Sequence, residues 1–117
     1  MDMKARLPQG VGGGPGNMNQ MIRQAQKMQE DMARVQEELD VKEYSATSGG
    51  GMVEAIVTGK KEVKSIHIKP EVVDPEDIEI LEDMIAGAVN EALRAAMDDA
   101  EERMSKITGG LGTPGLF

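Results

Sequence analysis

Apolar and polar positions recur with two different periods along this chain. Between Met52 and Thr58, Val53, Ala55 and Val57 fall on one side, with Glu54 and Thr58 on the other. Period two predicts a strand with one buried face and one wetter face. Segments rich in β-branched residues lie before and after it, separated by Gly49-Gly50-Gly51 and by Gly59-Lys60-Lys61. The expected element is a three-stranded antiparallel meander with strands over 41–48, 52–58 and 62–69.

Helical periods flank the meander. Met18, Met21, Ala25, Met28, Met32, Val35 and Leu39 are spaced alternately three and four apart. That spacing predicts a helix over 17–40 with a heptad seam, capped by Asn17, and the seam needs a partner helix in this chain or in another copy. Asp74-Pro75-Glu76-Asp77 predicts the start of a second helix over 75–108, with Asp74 as its cap and Pro75 in its first turn. Ile78, Leu81, Ile85, Ala88, Val89, Ala92, Ala96, Ala100, Met104 and Ile107 then form one broad stripe. Gly109-Gly110 is expected to close this helix as a glycine cap. The fold class expected is α+β, an α-β-β-β-α protomer occupying 17–108. Residues 1–16, rich in glycine, are expected to be a flexible arm, and 109–117 a frayed tail.

Composition narrows the chemistry. The 117 residues suit one domain, and 39% of them are hydrophobic. Methionine supplies 10 of these, tryptophan none, and Tyr44 is the only aromatic before the last residue, Phe117. With no cysteine, disulfides, zinc-thiolate sites and thiol nucleophiles are excluded. No apolar run approaches the ~20 residues of a membrane span, and the first residues lack the apolar stretch of a signal peptide. A cytoplasmic protein is expected. The glycine-rich start lacks both the preceding strand and the following Lys-Ser/Thr of a phosphate loop. Acidic pairs at Asp98-Asp99 and Glu101-Glu102 have no His or Cys nearby, so no metal or cofactor is expected. The only histidine, His67, sits mid-strand without an acid, base or nucleophile beside it, and no enzymatic activity or small-molecule substrate is expected.

The formal charge of −8 is unevenly spread. Residues 1–42 are net zero, residues 43–70 net +1 and residues 71–117 net −9. Against this background Arg23, Lys27 and Arg34 fall within about 40° of one another around the first helix, with Gln20 beside them. Two readings stand: a solvated helix face, or a stripe that donates to phosphate oxygens.

Several runs resemble one known family. They are Arg23-Gln-Ala-Gln-Lys-Met-Gln29, the Gly51-x-Val53-x-Ala55-x-Val57-Thr58-Gly59 strand, Val63-Lys-Ser-Ile66-x-Ile68-x-Pro70 and Asp74-Pro75-Glu76-Asp77. Leu81-Glu-Asp-Met84, Ala88-Val-Asn90-x-Ala92 and Gly109-Gly110-Leu111-Gly112 continue the likeness, in order, over about residues 17–115. The sequence is similar to the YbaB/EbfC family of bacterial nucleoid-associated proteins. The resemblance implies a homodimer whose paired helices project like tweezers, binding double-stranded DNA in the nucleoid, with no enzymatic chemistry. The glycine-rich leader and the Lys60-Lys61 turn depart from the family pattern.

DNA contact is then expected at Gln20, Arg23, Lys27 and Arg34 on the first helix and at Arg94, Arg103 and Lys106 on the second, with Arg23 and Lys27 inside the matching motif. Geometry also argues for self-association. A helix of about 33 residues is ~50 Å long, whereas eight-residue strands span ~26 Å, so part of its apolar stripe outruns the sheet. Dimer contacts are expected at Val53, Ala55, Val57, Ala96, Ala100, Met104 and Ile107. The acidic second half supports a reading of another class, a protein-interaction adaptor whose acidic helix docks a basic partner. Base readout by a helix-turn-helix or finger has no pattern here, and single-strand stacking lacks aromatic platforms.

Overall fold

The computed structural model describes residues 14–109. Residues 1–13 of the expected arm and 110–117 of the expected tail, including Gly110 of the expected cap, lie outside them. The heptad seam winds into α1, Gly14–Val41. It begins three residues before Asn17, so Asn17 is not its cap, and residues 14–16 form its first turn rather than the end of an arm. Pro15 suits that earlier start, because a first turn has no use for the missing amide donor and favours the fixed φ.

Lys42 alone separates α1 from β1, Glu43–Ser48. Val41, expected in the strand, ends the helix instead. β2 (Val53–Thr58) and β3 (Val63–Ile68) complete a sheet of order β1-β2-β3, antiparallel throughout. Gly49, Gly50 and Gly51 all take positive φ in the first hairpin turn, which side chains resist and glycine does not. In the second turn Lys61 adopts the same left-handed region, at φ 67°.

Register decides which residues meet. Tyr44, Ala46 and Ser48 of β1 stand opposite Val57, Ala55 and Val53 of β2. Val57, Ala55 and Val53 stand in turn opposite Val63, Ile66 and Ile68 of β3, across an irregularity at Ile56/Val57. Directly opposed residues share a face, so these nine side chains point the same way. α2, Ile78–Thr108, covers β1 and β2 on that face. Ala88, Ala92 and Ala96, one turn apart and buried, let the helix lie close to Val53, Ala55, Val57 and Tyr44. The Ser48 hydroxyl donates to the Met84 carbonyl and fixes the end of β1 to α2. The other face of the sheet is polar apart from Ile56, which stands between Ser45 and Ser65.

The start of α2 differs from the expectation. Asp74 closes a local turn: its Oδ1 accepts from the Glu76 amide at 2.9 Å, and its carbonyl accepts from the Asp77 amide at 2.9 Å. With Asp74 and Pro75 in that turn, the helix begins at Ile78 after Asp77. At its end Gly109 is the cap, as expected, in right-handed geometry (φ −61°) with its amide donating to Ser105 O.

α2 is ~46 Å long and the six-residue strands ~20 Å, so the helix outruns the sheet as foreseen. What meets the overhang is α1 of the same chain. Arg103 pairs with Glu38, and Lys42 pairs with Asp99 at 2.7 Å. From Glu38 on α1 to Lys42 just past its end the residue number rises by four while on α2 it falls by four, which makes the two helices antiparallel neighbours. Val35 and Leu39 are buried, and Ala100, Met104 and Ile107 are half-buried. Among the described residues no helix is long and apolar enough to cross a membrane.

Candidate nucleic-acid interface

The antiparallel pairing sets what α1 presents to solvent. Its partnered stretch ends roughly where α2 does, so the turns before about Ala33 run on beyond Thr108. Met18, Met21 and Ile22 on that stretch are 57%, 67% and 51% exposed, while Leu39, at the other end of the same helix, is 1% exposed. Met21, Ala25 and Met28, with Gln24 and Gln29, line a shallow apolar groove along it.

The polar side of this projecting stretch carries Gln20, Arg23 and Lys27, and Arg34 follows just past Ala33, where α2 begins to run alongside. Gln20, Arg23, Lys27 and Arg34 are all exposed. Arg23 to Lys27 is about 6 Å along the axis and Lys27 to Arg34 about 10 Å, so three basic groups track one line. Two of them are engaged: Lys27 Nζ lies 3.4 Å from Asp31 Oδ2, and Arg34 Nη1 donates to Asp31 Oδ1 at 2.9 Å. The Arg34 hydrogen bond, ahead of the contacts from Lys27, holds the Asp31 carboxyl below the usual carboxylate range. Arg23 has no carboxylate partner among the described residues.

The three expected cations of α2 are not brought into that line. Arg103 is a strut between the helices through Glu38. Arg94 pairs with Glu91 at 2.6 Å, and nine residues of helix place it about 180° around α2 from Arg103, away from α1. Lys106 lies 3.9 Å from Glu102 at the end of the helix. The expected dimer contacts also divide. Val53, Ala55, Val57 and Ala96 are sealed inside the protomer, at 0%, 0%, 0% and 2% exposure, because α2, which carries Ala96, packs on the sheet of the same chain. Ala100, Met104 and Ile107 are half-buried where α1 runs alongside.

Two basic residues that the sequence singled out only as a departure from the family pattern were not among the expected DNA contacts. Lys60 and Lys61 form the β2–β3 turn, exposed and without a carboxylate partner among the described residues. The turn is fastened to the root of α1: the Gly59 amide donates to Lys42 O at 3.0 Å, and Gly59 packs on the Leu39 carbonyl. The signal was present as two adjacent lysines with no acidic residue at helical spacing to neutralise them. Elsewhere the polar groups serve structure. His67 lies exposed on β3 with Nε2 3.4 Å from the Ser65 hydroxyl, and Asp99 is occupied by Lys42 and Tyr44. Among the described residues no three His, Cys, Asp or Glu side chains converge on a possible metal position.

Comparison with known proteins adds what geometry cannot. The model of the YbaB/EbfC DNA-binding family matches residues 14–111. A nucleoid-associated protein of Alkaliphilus metalliredigens is 56% identical over 108 residues, covering 92% of this chain and 94% of that one. Another from Acetivibrio thermocellus is 58% identical over 109 residues, covering 92% and 96%. An uncharacterized protein of Helicobacter pylori, solved by crystallography, shares the fold with a TM-score of 0.56 at 22% identity, over 67% of this chain and 90% of that one. With the family match spanning both helices and the whole sheet, the chain belongs to the YbaB/EbfC DNA-binding family.

Proposed function

We propose that this protein is nucleoid-associated and cytoplasmic, and that it binds double-stranded DNA as a homodimer through phosphate contacts of α1. The observation that carries the reading is the projecting half of α1. It presents Arg23 and Lys27 beyond the end of the acidic α2, in line with Arg34 at the root of the projection, on a chain of net charge −8. Screening limits the repulsion from the rest of the surface to ~8 Å at physiological salt, so a local basic line works where a net charge would not. Affinity is expected near the non-specific range, ~10⁻⁴–10⁻⁶ M, with phosphate and shape contacts dominating.

Two uncovered apolar surfaces support the homodimer. One is the exposed part of the α1 seam, at Met18 and Met21. The other is β3, an edge strand whose Val63, Ile66 and Ile68 point to the helix side of the sheet but are 48%, 38% and 38% exposed, because α2 stops at β2. An apolar edge strand of this kind invites pairing, and a two-fold axis would bury it once for both copies. The tweezer arrangement follows if that axis leaves the two projecting α1 segments side by side.

The test is fluorescence anisotropy of a labelled duplex, from low to physiological salt, with the Arg23→Gln/Lys27→Gln variant beside the parent chain. Steep loss of affinity with salt, and loss of binding in a variant that is still a dimer by sedimentation, support the reading. Binding that survives the double substitution removes α1 as the site. No binding at low salt moves the function to the second reading, an adaptor. That reading is favoured by the exposed carboxylates of α2, among them Glu79, Glu82, Asp83, Glu91 and Asp98.

A further inference from the structure

The basic line on α1 is not empty. Each oxygen of the Asp31 carboxylate faces a different cation, Lys27 through Oδ2 and Arg34 through Oδ1. Both cations remain largely exposed, with side chains at 75% and 58%, whereas that of Asp31 is at 22% beneath them. A DNA phosphate would present the same chemistry to the same donors: two anionic oxygens on one centre, accepting from an ammonium and a guanidinium. The positions are also right for competition. Lys27 and Arg34 are two turns apart, and Asp31 lies between them, so neither cation can turn fully to a phosphate while Asp31 holds it.

We propose that Asp31 acts as an internal competitor for DNA phosphate, holding Lys27 and Arg34 and weakening duplex binding until a phosphate displaces it. The proposal rests on the reading of α1 as the phosphate-contacting helix and adds the element that sets its strength. Exposed ion pairs are weak, so displacement is easy and the control is graded rather than on or off. A displaced carboxylate also gathers counterions again, which subtracts from the number released by DNA.

Glu30 provides the comparison that separates competition from plain charge repulsion. It lies on the same side of α1, one residue from Asp31, but contacts no cation among the described residues. Asp31→Asn, Glu30→Gln, Lys27→Gln/Arg34→Gln and the triple variant Asp31→Asn/Lys27→Gln/Arg34→Gln are compared with the parent chain by duplex anisotropy across a salt series. Circular dichroism checks the helix content of each. Asp31→Asn is expected to tighten binding about three- to tenfold at low salt, with a steeper salt slope by about one ion per protomer. Glu30→Gln is expected to change affinity less than about twofold. In the Lys27→Gln/Arg34→Gln background, Asp31→Asn is expected to give no gain. Equal gains from Asp31→Asn and Glu30→Gln, or no gain from Asp31→Asn while Lys27→Gln/Arg34→Gln weakens binding, overturn the competitor and leave the DNA reading standing. Undiminished binding by Lys27→Gln/Arg34→Gln overturns both.

Discussion

The Tyr44 hydroxyl donates to Asp99 Oδ2 at 2.6 Å, and the same oxygen accepts from Lys42 Nζ at 2.7 Å. Lys42 also lies over the Tyr44 ring, 5.2 Å from its centre. Three residues therefore clamp the joint between α1 and β1 onto the middle of α2. Tyr44 is the one large polar-tipped side chain in the core, packed with Val57, Ala92 and Ala96. Tyr44→Phe keeps the ring and removes the donor. Since Asp99 still has Lys42, the expected cost is about 1 kcal/mol, read as a lower urea midpoint with an unchanged m-value.

The same clamp gives the stability a pH dependence with a definite sign. Burial, and then the hydrogen bond to Asp99, push the Tyr44 hydroxyl up to about 12, against about 10 for a free tyrosine. The folded value is the higher one, so its contribution is complete below about pH 10 and is lost as pH rises towards 12. Asp99 behaves oppositely. Hydrogen bonds from Lys42 and then Tyr44 hold its carboxyl below the usual range, so its contribution is present above about pH 4 and lost as pH falls through the lowered value. Tyr44 is the only tyrosine and there is no tryptophan, so tyrosinate absorbance reports this one group. Its titration in the folded protein should lie well above that in urea.

How much of this was legible in the sequence depended on the range of the cause. Period two around Val53, Ala55 and Val57 marked the covered face of β2 because alternation is local. The same alternation could not say what covers it. A broad stripe ending at Ile107 looked like surface waiting for a second copy, because nothing in a linear pattern shows that α1 folds back along α2. Asp74 looked like a helix cap by residue type, yet its carboxylate caps a turn three residues earlier, a matter of backbone direction. At the candidate site, spacing put Arg23, Lys27 and Arg34 on one line, and all three are exposed on α1. It did not show that Asp31 would hold two of them, or that Arg103 would be spent on Glu38 across 65 residues of chain.

The alanines of α2 set how close the helix lies to the sheet. Ala92 is fully buried against Tyr44 and Val57. Ala92→Leu adds three carbons where Tyr44 and Val57 already pack, and the expected cost is about 1–3 kcal/mol from overpacking. Ala95→Leu, on the exposed side of the same turn, should change stability by less than about 0.5 kcal/mol. Thermal unfolding of the two variants in parallel checks the direction, and equal effects would remove the close approach of α2 as a structural constraint.

Two glycines make a sharper comparison, because a methyl group at each meets a different kind of obstacle. At Gly59 the added carbon would collide with the carbonyl and α-carbon of Leu39, which are backbone at the last turn of α1. Neither can yield without moving the helix from the turn that Gly59 N and Lys42 O hold together. At Gly49 it would meet only the Met84 thioether, the end of a flexible side chain that can swing aside. Gly49 has its own penalty, since its φ of 62° is left-handed and an alanine there costs about 1–2 kcal/mol. Gly59→Ala is therefore expected to be the worse of the two, losing about 3 kcal/mol or more, although its backbone is ordinary and that of Gly49 is not. Urea unfolding of both variants decides it. If Gly49→Ala proves the more damaging, the β2–β3 turn is not seated on α1, and the fixed placement of Lys60 and Lys61 at the root of that helix goes with it.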